Sequence, residues 1–334
     1  MQTFYHIRAA SLDEARKAMD GDARTQLLCG GTTQVDLMKL GVFAPARIVD
    51  IAGLRRSAPA IEDHDDWLRL SAFMTMHDAI GSDVLKAKAP VVIDSLALAA
   101  STQIRNMASL GGNLMQRTRC PYYRDTSWTK CNRRSPGTGC QAIAGSAPAH
   151  AALGTSKACI ATYPGDLAQA LVALEASLEI TGPGGQRLMP LSDLHRLPGT
   201  TPEKEHGLQP GEIIAAIRLP IRPWYARSRY TKVRDRASYE FAIASAAVAL
   251  DLDGQRIRDI RVGLGGVATV PWRSVAAEKA LRGKIVSEDT AWAAAEKAFA
   301  DARPHPDSAG RVAVGKATLV RAILETATME TAHG

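Results

Sequence analysis

The sequence predicts an α+β protein of two domains, divided near residue 222. The 334 residues are too many for one ordinary core and suit two or three compact lobes. Segments of helical period alternate with short strand-like runs as far as Pro220. After Pro223 the character changes to strands and Ala-rich helices.

Composition narrows the class. Hydrophobic residues make up 46 % and charged residues 22 %, the balance of a soluble globular chain. Aromatics are only 5 %, so Ala, Leu, Val and Ile must build the core. A net charge of +7 suits an anionic ligand or an acidic partner. The basic residues form no long tail, which argues against nucleic acid. The N-terminus lacks the pattern of a signal peptide, and no apolar run of roughly 18 residues is present. A cytoplasmic chain is expected, or one exported to the periplasm bound to a signal-bearing partner.

The elements follow in order. Ser11 and Glu14 form a capping box for a helix over 11–19, with Leu12, Ala15 and Ala18 on one side. The apolar run LLCGG leads into TTQVDLMKLG, a helix closed by Gly41. ARIVDIAGL reads as a buried strand and turn, and WLRLSAF as a strand. Helical periodicity runs from Thr75 to Ala108, with Pro90 opening a new segment. Asp166 is the expected N-cap of DLAQALVALEA. SLEIT is a strand, GPGG a turn and EIIAAIRLP a further strand. Beyond 223, a strand is followed by a small-residue helix or strand and a hairpin at Asp253-Gly254. Two Ala-rich helices close the chain.

Residues 117–160 break all periodicity and hold four of the five cysteines, spaced Cys120-x10-Cys131-x8-Cys140-x18-Cys159. A long unstructured loop inside a compact domain needs something to order it, and a metal centre would do so. No CxxC pair is present, so this is not a zinc ribbon. Four thiolates suit zinc or a [4Fe–4S] cluster, and the long irregular arms favour the bulkier cluster. Arg117, Arg119, Arg124, Lys130, Arg133 and Arg134, against Asp125, would offset its negative charge. Two disulfides, a zinc site, scattered core thiols or a nucleic-acid platform using Tyr122, Tyr123 and Trp128 remain open on the residues alone. Cys29 lies outside the group and reads as a packed small residue.

Gly30-Gly31-Thr32-Thr33 and Gly111-Gly112-Asn113 each follow an apolar run. Paired glycines let successive backbone N–H groups approach phosphate oxygens. Neither pair is GxGxxG, so a Rossmann phosphate loop is excluded.

With these motifs together, the sequence resembles the FAD-binding medium subunits of the xanthine dehydrogenase and aldehyde oxidoreductase family. LLCGGTTQVDLMK, ASLGGNLMQRTRCPYY, CIATYPGDLAQAL, PGEIIAAIRLP, YTKVRDRASYEFAIASAAVAL and GLGGVATVPWR carry the likeness. It is strongest to the subgroup serving bacterial aromatic-aldehyde oxidoreductases, whose flavin subunit carries a [4Fe–4S] loop. The resemblance implies a two-lobed, vanillyl-alcohol-oxidase-type (PCMH) FAD domain over 1–222. Its lobes are 1–56 and 57–222, with an inserted iron–sulfur loop at 117–160. A small α+β domain follows over 223–334, like that of the CO dehydrogenase flavoprotein.

The resemblance also implies residue roles. Leu27, Leu28, Cys29, Gly30, Gly31, Thr32, Thr33 and Gln34 would hold the FAD pyrophosphate. Ser109, Gly111, Gly112 and Asn113 would form a second wall. Asp166 and Glu212 would reach the cofactor, and Lys232 would lie near the flavin ring. Cys120, Cys131, Cys140 and Cys159 would ligate the cluster, whose main role is expected to be structural. Cys29 departs from the small aliphatic residue common in that loop, and the cysteine arms differ from those of hydroxybenzoyl-CoA reductases. Electrons would arrive from a molybdenum cofactor on a large partner and [2Fe–2S] clusters on a small one. No general acid or base is expected, and His64, His77, His150, His195 and His206 show no metal-ligand spacing. Three alternatives remain: a subunit of a xanthine dehydrogenase or hydroxybenzoyl-CoA reductase type complex, a zinc-stabilised scaffold without redox chemistry, and a free-standing FAD oxidase of the same fold.

Overall fold

The computed structural model describes residues 1–19, 21–57 and 59–330. The first lobe is a parallel sheet of β1 (Tyr5–Arg8), β2 (Thr25–Leu28) and β3 (Arg47–Asp50), ordered β1-β3-β2. Parallel strands need crossovers, and α1 (Leu12–Ala18) and α2 (Gln34–Lys39) supply them. Ser11 caps α1 by accepting from the Glu14 N–H at 3.1 Å. The Glu14 carboxylate reaches one residue further back than a capping box requires, to the Ala10 N–H at 2.8 Å. Gly41 ends α2 at φ 72°, where a side chain would be strained. Ala15, Val49, Ile51 and Leu54 pack with Phe73 and Ile213, so this small core closes against the second lobe.

The second lobe is an antiparallel sheet. It contains β4 (Ile61–His64), β5 (Trp67–Ser71), β6 (Ser177–Gly182), β7 (Gly185–Pro190) and β8 (Ile213–Pro220), ordered β4-β5-β8-β6-β7. The helical stretch after Thr75 divides into α3 (Met76–Ile80), α4 (Asp83–Lys88), α5 (Pro90–Ala97), α6 (Thr102–Met107) and α7 (Leu110–Leu114). Thr75, Ser82, Ser101 and Ser109 cap α3, α4, α6 and α7, and each of these caps starts a new helix. The cysteine segment contributes two single turns, α8 (Pro121–Arg124) and α9 (Gln141–Ala144). Every residue of α10 (Leu167–Ala173) is buried.

After residue 222 comes a second antiparallel sheet, β12-β11-β10-β9, formed by β9 (Ser228–Val233), β10 (Ala244–Asp253), β11 (Arg256–Gly265) and β12 (Trp272–Arg273). The small-residue stretch left open as helix or strand is β10. Ala244, Ala246, Val248 and Leu250 enter one core while Ala247 and Ala249 enter the other. A strand buried on both faces loses the alternation that marks one. The sequence reading missed α11 (Val275–Leu281), and the two expected Ala-rich helices follow it as α12 (Glu288–Ala298) and α13 (Gly310–Ala327). Among the described residues, no helix is long and apolar enough to cross a membrane.

Candidate flavin cavity and cysteine loop

Gly30 and Gly31 follow the end of β2, Gly111 and Gly112 lie in the first turn of α7, and the fold brings the two pairs face to face. Between them lies a cavity of about 480 Å³. Leu27, Cys29, Gly30, Gly31, Thr32, Thr33 and Gln34 line one side, and Ser109, Gly111 and Gly112 the other. A Cβ on Gly30 would stand 2.0 Å from the Met107 carbonyl oxygen, so the two loops touch backbone to backbone. Gly31 takes φ 71°, and Thr33 precedes α2 without a side-chain cap bond. Successive N–H groups beside glycines form a nest for an anionic group such as a pyrophosphate. Phe43, Ile51, Phe73 and Leu208 add apolar wall suited to flat rings. These residues fit a dinucleotide.

Glu212 also lines the cavity. Arg187 pairs with its carboxylate at 2.7 and 2.8 Å and holds it below the usual range. Cys29 is a cavity wall as well as a packed residue, and burial pushes its thiol up. The remaining candidates lie outside the lining. Leu28 pairs with Asp50 in the sheet. The Asn113 amide nitrogen faces the Met76 sulfur at 3.4 Å, and its Oδ1 is buried with no hydrogen-bond partner among the described residues.

Asp166 departs from expectation in a second way, because its side chain does not cap α10. Its carboxylate instead accepts from Lys232 Nζ at 2.8 Å and from the Tyr230 hydroxyl at 2.8 Å. Lys232 Nζ also donates to the Leu98 carbonyl at 3.1 Å. The Lys232 and Asp166 side chains are 1 % and 5 % exposed. Burial pushes the Asp166 carboxyl up, and Lys232 opposes that. As arranged, Lys232 clamps β9 of the C-terminal part onto α10 and the end of α5, with no place on the cavity wall.

All five cysteines are free thiols. Cys131 and Cys140 face each other across an isolated antiparallel bridge. Burial pushes the Cys120 thiol up to about 12, and the neighbouring Cys159 and Cys131 act in the same direction. Cys140 is raised by burial and then by Cys159. Cys120 thus feels Cys159 and Cys131, and Cys140 feels Cys159, and a cationic centre would favour thiolates at Cys120 and Cys140. Among the described residues, no three His, Cys, Asp or Glu side chains are spaced to hold a single metal ion. An iron–sulfur cube places one thiolate on each iron, so it holds them farther apart than a single ion does. That donor set is chemically suited to such a cluster.

The basic run does not pool its charge around the sulfurs. Arg119 and Arg124 pair with Asp36, and Arg134 donates to the carbonyls of Tyr122, Tyr123, Asp125 and Trp128. Arg133 approaches the Cys159 sulfur at 3.8 Å, and His150 Nε2 lies 3.3 Å from that of Cys120. Asn132 bonds the Ala158 carbonyl and the Gly139 N–H, and Tyr122 bonds the Ser146 backbone. Arg303 N–H donates to Ala152, Asp307 accepts from Ala147, and Arg311 donates to Pro148, tying the loop to the C-terminal part. The loop thus carries polar staples of its own, where the sequence suggested that a metal must order it.

His195 lies beside this region. Its Nε2 donates to the Leu114 carbonyl at 2.9 Å, and burial pushes it down from 6.5 to about 4. Above pH 6.5 it is neutral folded or unfolded and adds no pH dependence. As pH falls toward 4, the unfolded chain gains a proton that the folded one refuses. Stability should drop by about 1.4 kcal/mol per pH unit from this group. His195→Gln keeps a donor without the titration. Urea unfolding near neutrality and near pH 4 should show a shallower acid loss for the variant, and equal slopes would refute the assignment.

Sequence reasoning missed Arg117, Phe43, Met115 and His206 as cavity walls. No local pattern marks them, since they come from separate turns that only the fold assembles.

Comparison with known proteins agrees with this geometry. Residues 2–222 match the family model of the FAD binding domain in molybdopterin dehydrogenase, and 229–331 that of the CO dehydrogenase flavoprotein C-terminal domain. The chain is 38 % identical over 326 residues to the aldehyde oxidoreductase FAD-binding subunit PaoB of Escherichia coli K12, covering 97 % of this chain and 98 % of that one. It is 28 % identical over 290 residues to the carbon monoxide dehydrogenase medium chain of Afipia carboxidovorans, covering 87 % and 82 %. Among solved structures, reconstituted CO dehydrogenase from Oligotropha carboxidovorans superposes with a TM-score of 0.77 at 24 % identity, covering 98 % and 99 %, a likeness of fold. Two facing glycine loops around a dinucleotide-sized cavity, with both family matches spanning the chain, place this protein among the FAD-binding subunits of the molybdenum hydroxylases, which are oxidoreductases.

Proposed function

We propose that this chain is the FAD- and [4Fe–4S]-containing electron-transfer subunit of a molybdenum-dependent aldehyde oxidoreductase. The convergence of four free cysteines on one loop beside the flavin cavity carries the finer part of this reading. The likeness to the aldehyde oxidoreductase subunit supports the substrate class. A large partner would carry the molybdenum cofactor and oxidise the aldehyde, and a small partner would carry [2Fe–2S] clusters. FAD, when bound, supplies the redox chemistry through which electrons leave for an external acceptor.

This chain's residues bind and orient. The Gly30–Thr33 nest and the Gly111-Gly112 wall hold the anionic centre of the cofactor. The apolar residues of the cavity exclude water from its rings. Glu212, fixed by Arg187 and by the Gln209 N–H at 2.7 Å, offers a rigid acceptor at the cavity rim.

An absorption spectrum with iron and zinc analysis, on protein purified without oxygen, tests the reading. Flavin bands over a broad iron–sulfur shoulder, with about four irons per chain, are expected. Zinc without iron would replace the cluster with a scaffold ion, and neither metal would remove it. Cys131→Ser should lose the iron–sulfur absorbance yet retain FAD, because the loop's polar staples survive. Loss of FAD along with the iron would show that the cluster orders the loop.

A further inference from the structure

We propose that Glu205 is the residue through which the cysteine loop and the flavin cavity hold each other in shape. The proposal rests on flavin occupying the cavity, and not on the identity of any metal. One Glu205 carboxylate oxygen accepts from Arg117, and the other from Arg133 at 2.6 Å. Arg117 belongs to the cavity. Its guanidinium lies 5.1 Å from the Phe43 ring, itself a cavity wall, and 5.6 Å from the ring of Tyr123 in the cysteine loop. Arg133 is not part of the lining. It belongs to the loop, and its other guanidinium nitrogen approaches Cys159.

The bridge is dry. The Arg133 and Glu205 side chains are 8 % and 11 % exposed. The Nε atoms of Arg117 and Arg133 are buried with no hydrogen-bond partner among the described residues, so the carboxylate is their main compensation. Removing one member of a largely buried ion network leaves the other charges poorly compensated, Arg133 most of all. Glu205 is itself placed by a short hairpin. Its carbonyl accepts from the Arg196 N–H at 2.9 Å, and His195 and His206 pair across the same turn.

Coupling of this kind is reciprocal. If Glu205 transmits the loop's order to the cavity wall, a ligand that orders the wall must order the loop equally. Such couplings are typically on the order of 5- to 150-fold in affinity.

The test uses the assembled complex, stripped of flavin and titrated with FAD. Glu205→Gln keeps the size and removes the charge, and its FAD dissociation constant should rise by about tenfold. Arg133→Gln is the second variant. It lies outside the cavity lining, so weaker FAD binding there reports transmission and not a lost contact with the cofactor. It also decides the matter if Glu205→Gln fails to fold. Limited trypsin digestion gives the reciprocal readout. In wild type, saturating FAD should slow cleavage after the exposed Lys130, and in both variants this protection should vanish at saturating FAD. Wild-type FAD affinity in the variants, or undiminished protection of their loop, would overturn the coupling while leaving the flavin assignment intact. A wild-type chain that takes up no FAD would sink both.

Discussion

Gly30→Ala is expected to abolish FAD retention. The new Cβ would lie 2.0 Å from the Met107 carbonyl oxygen and 2.9 Å from the Ala108 Cα, both backbone atoms that cannot rotate away. The two glycine loops must therefore separate, and the N–H groups of the nest lose their common focus on the cofactor. Overpacking typically costs about 1–3 kcal/mol, and backbone targets belong at the upper end. Since about 1.4 kcal/mol is tenfold, affinity should fall on the order of a hundredfold. Flavin released on gel filtration, and titration of the stripped protein, would measure this. Gly53→Ala is the matched control, because a Cβ there meets nothing within 4 Å. Normal FAD content in Gly30→Ala would mean that the loops are not held at this contact.

Lys232→Met is expected to destabilise the protein more than any surface change. The variant keeps the bulk and deletes the charge, leaving Asp166 buried with Tyr230 as its remaining side-chain partner. Breaking a buried pair from one side costs about 3–5 kcal/mol. Asp166 would relieve part of that by taking up a proton, so the deficit should shrink as pH falls. The double variant Lys232→Met/Asp166→Leu should recover much of the loss, because replacing both partners removes the stranded charge. Urea unfolding of the wild type and the two variants measures all of this. Wild-type stability in Lys232→Met would show that the clamp is dispensable, and would return Lys232 to a role toward the flavin.

Much of the architecture was legible without coordinates wherever a local rule had no competitor. Ser11, Gly41 and Asp253-Gly254 mark a helix start, a helix stop and a hairpin because caps and positive-φ turns are satisfied within a few residues. The glycine pairs were legible because close backbone approach requires them. The double-sided strand β10 was not, since alternation disappears when both faces are buried. Nor was the Asp166 side chain, expected as a helix cap and a cofactor contact, whose lysine partner lies 66 residues away.

By itself, the sequence singled out the segments on which the proposed chemistry rests, two glycine loops and four clustered cysteines, and a change of character after Pro223. These depend on residue type and short spacing, which the chain states outright. Only the tertiary structure decided how the segments meet. It put Gly30 against Met107, joined Arg117 and Arg133 through Glu205, and withdrew Lys232 into a clamp with Asp166. Those pairings span tens of residues along the chain and are set by burial, because a charge removed from water must find whichever partner the packed backbone brings within reach.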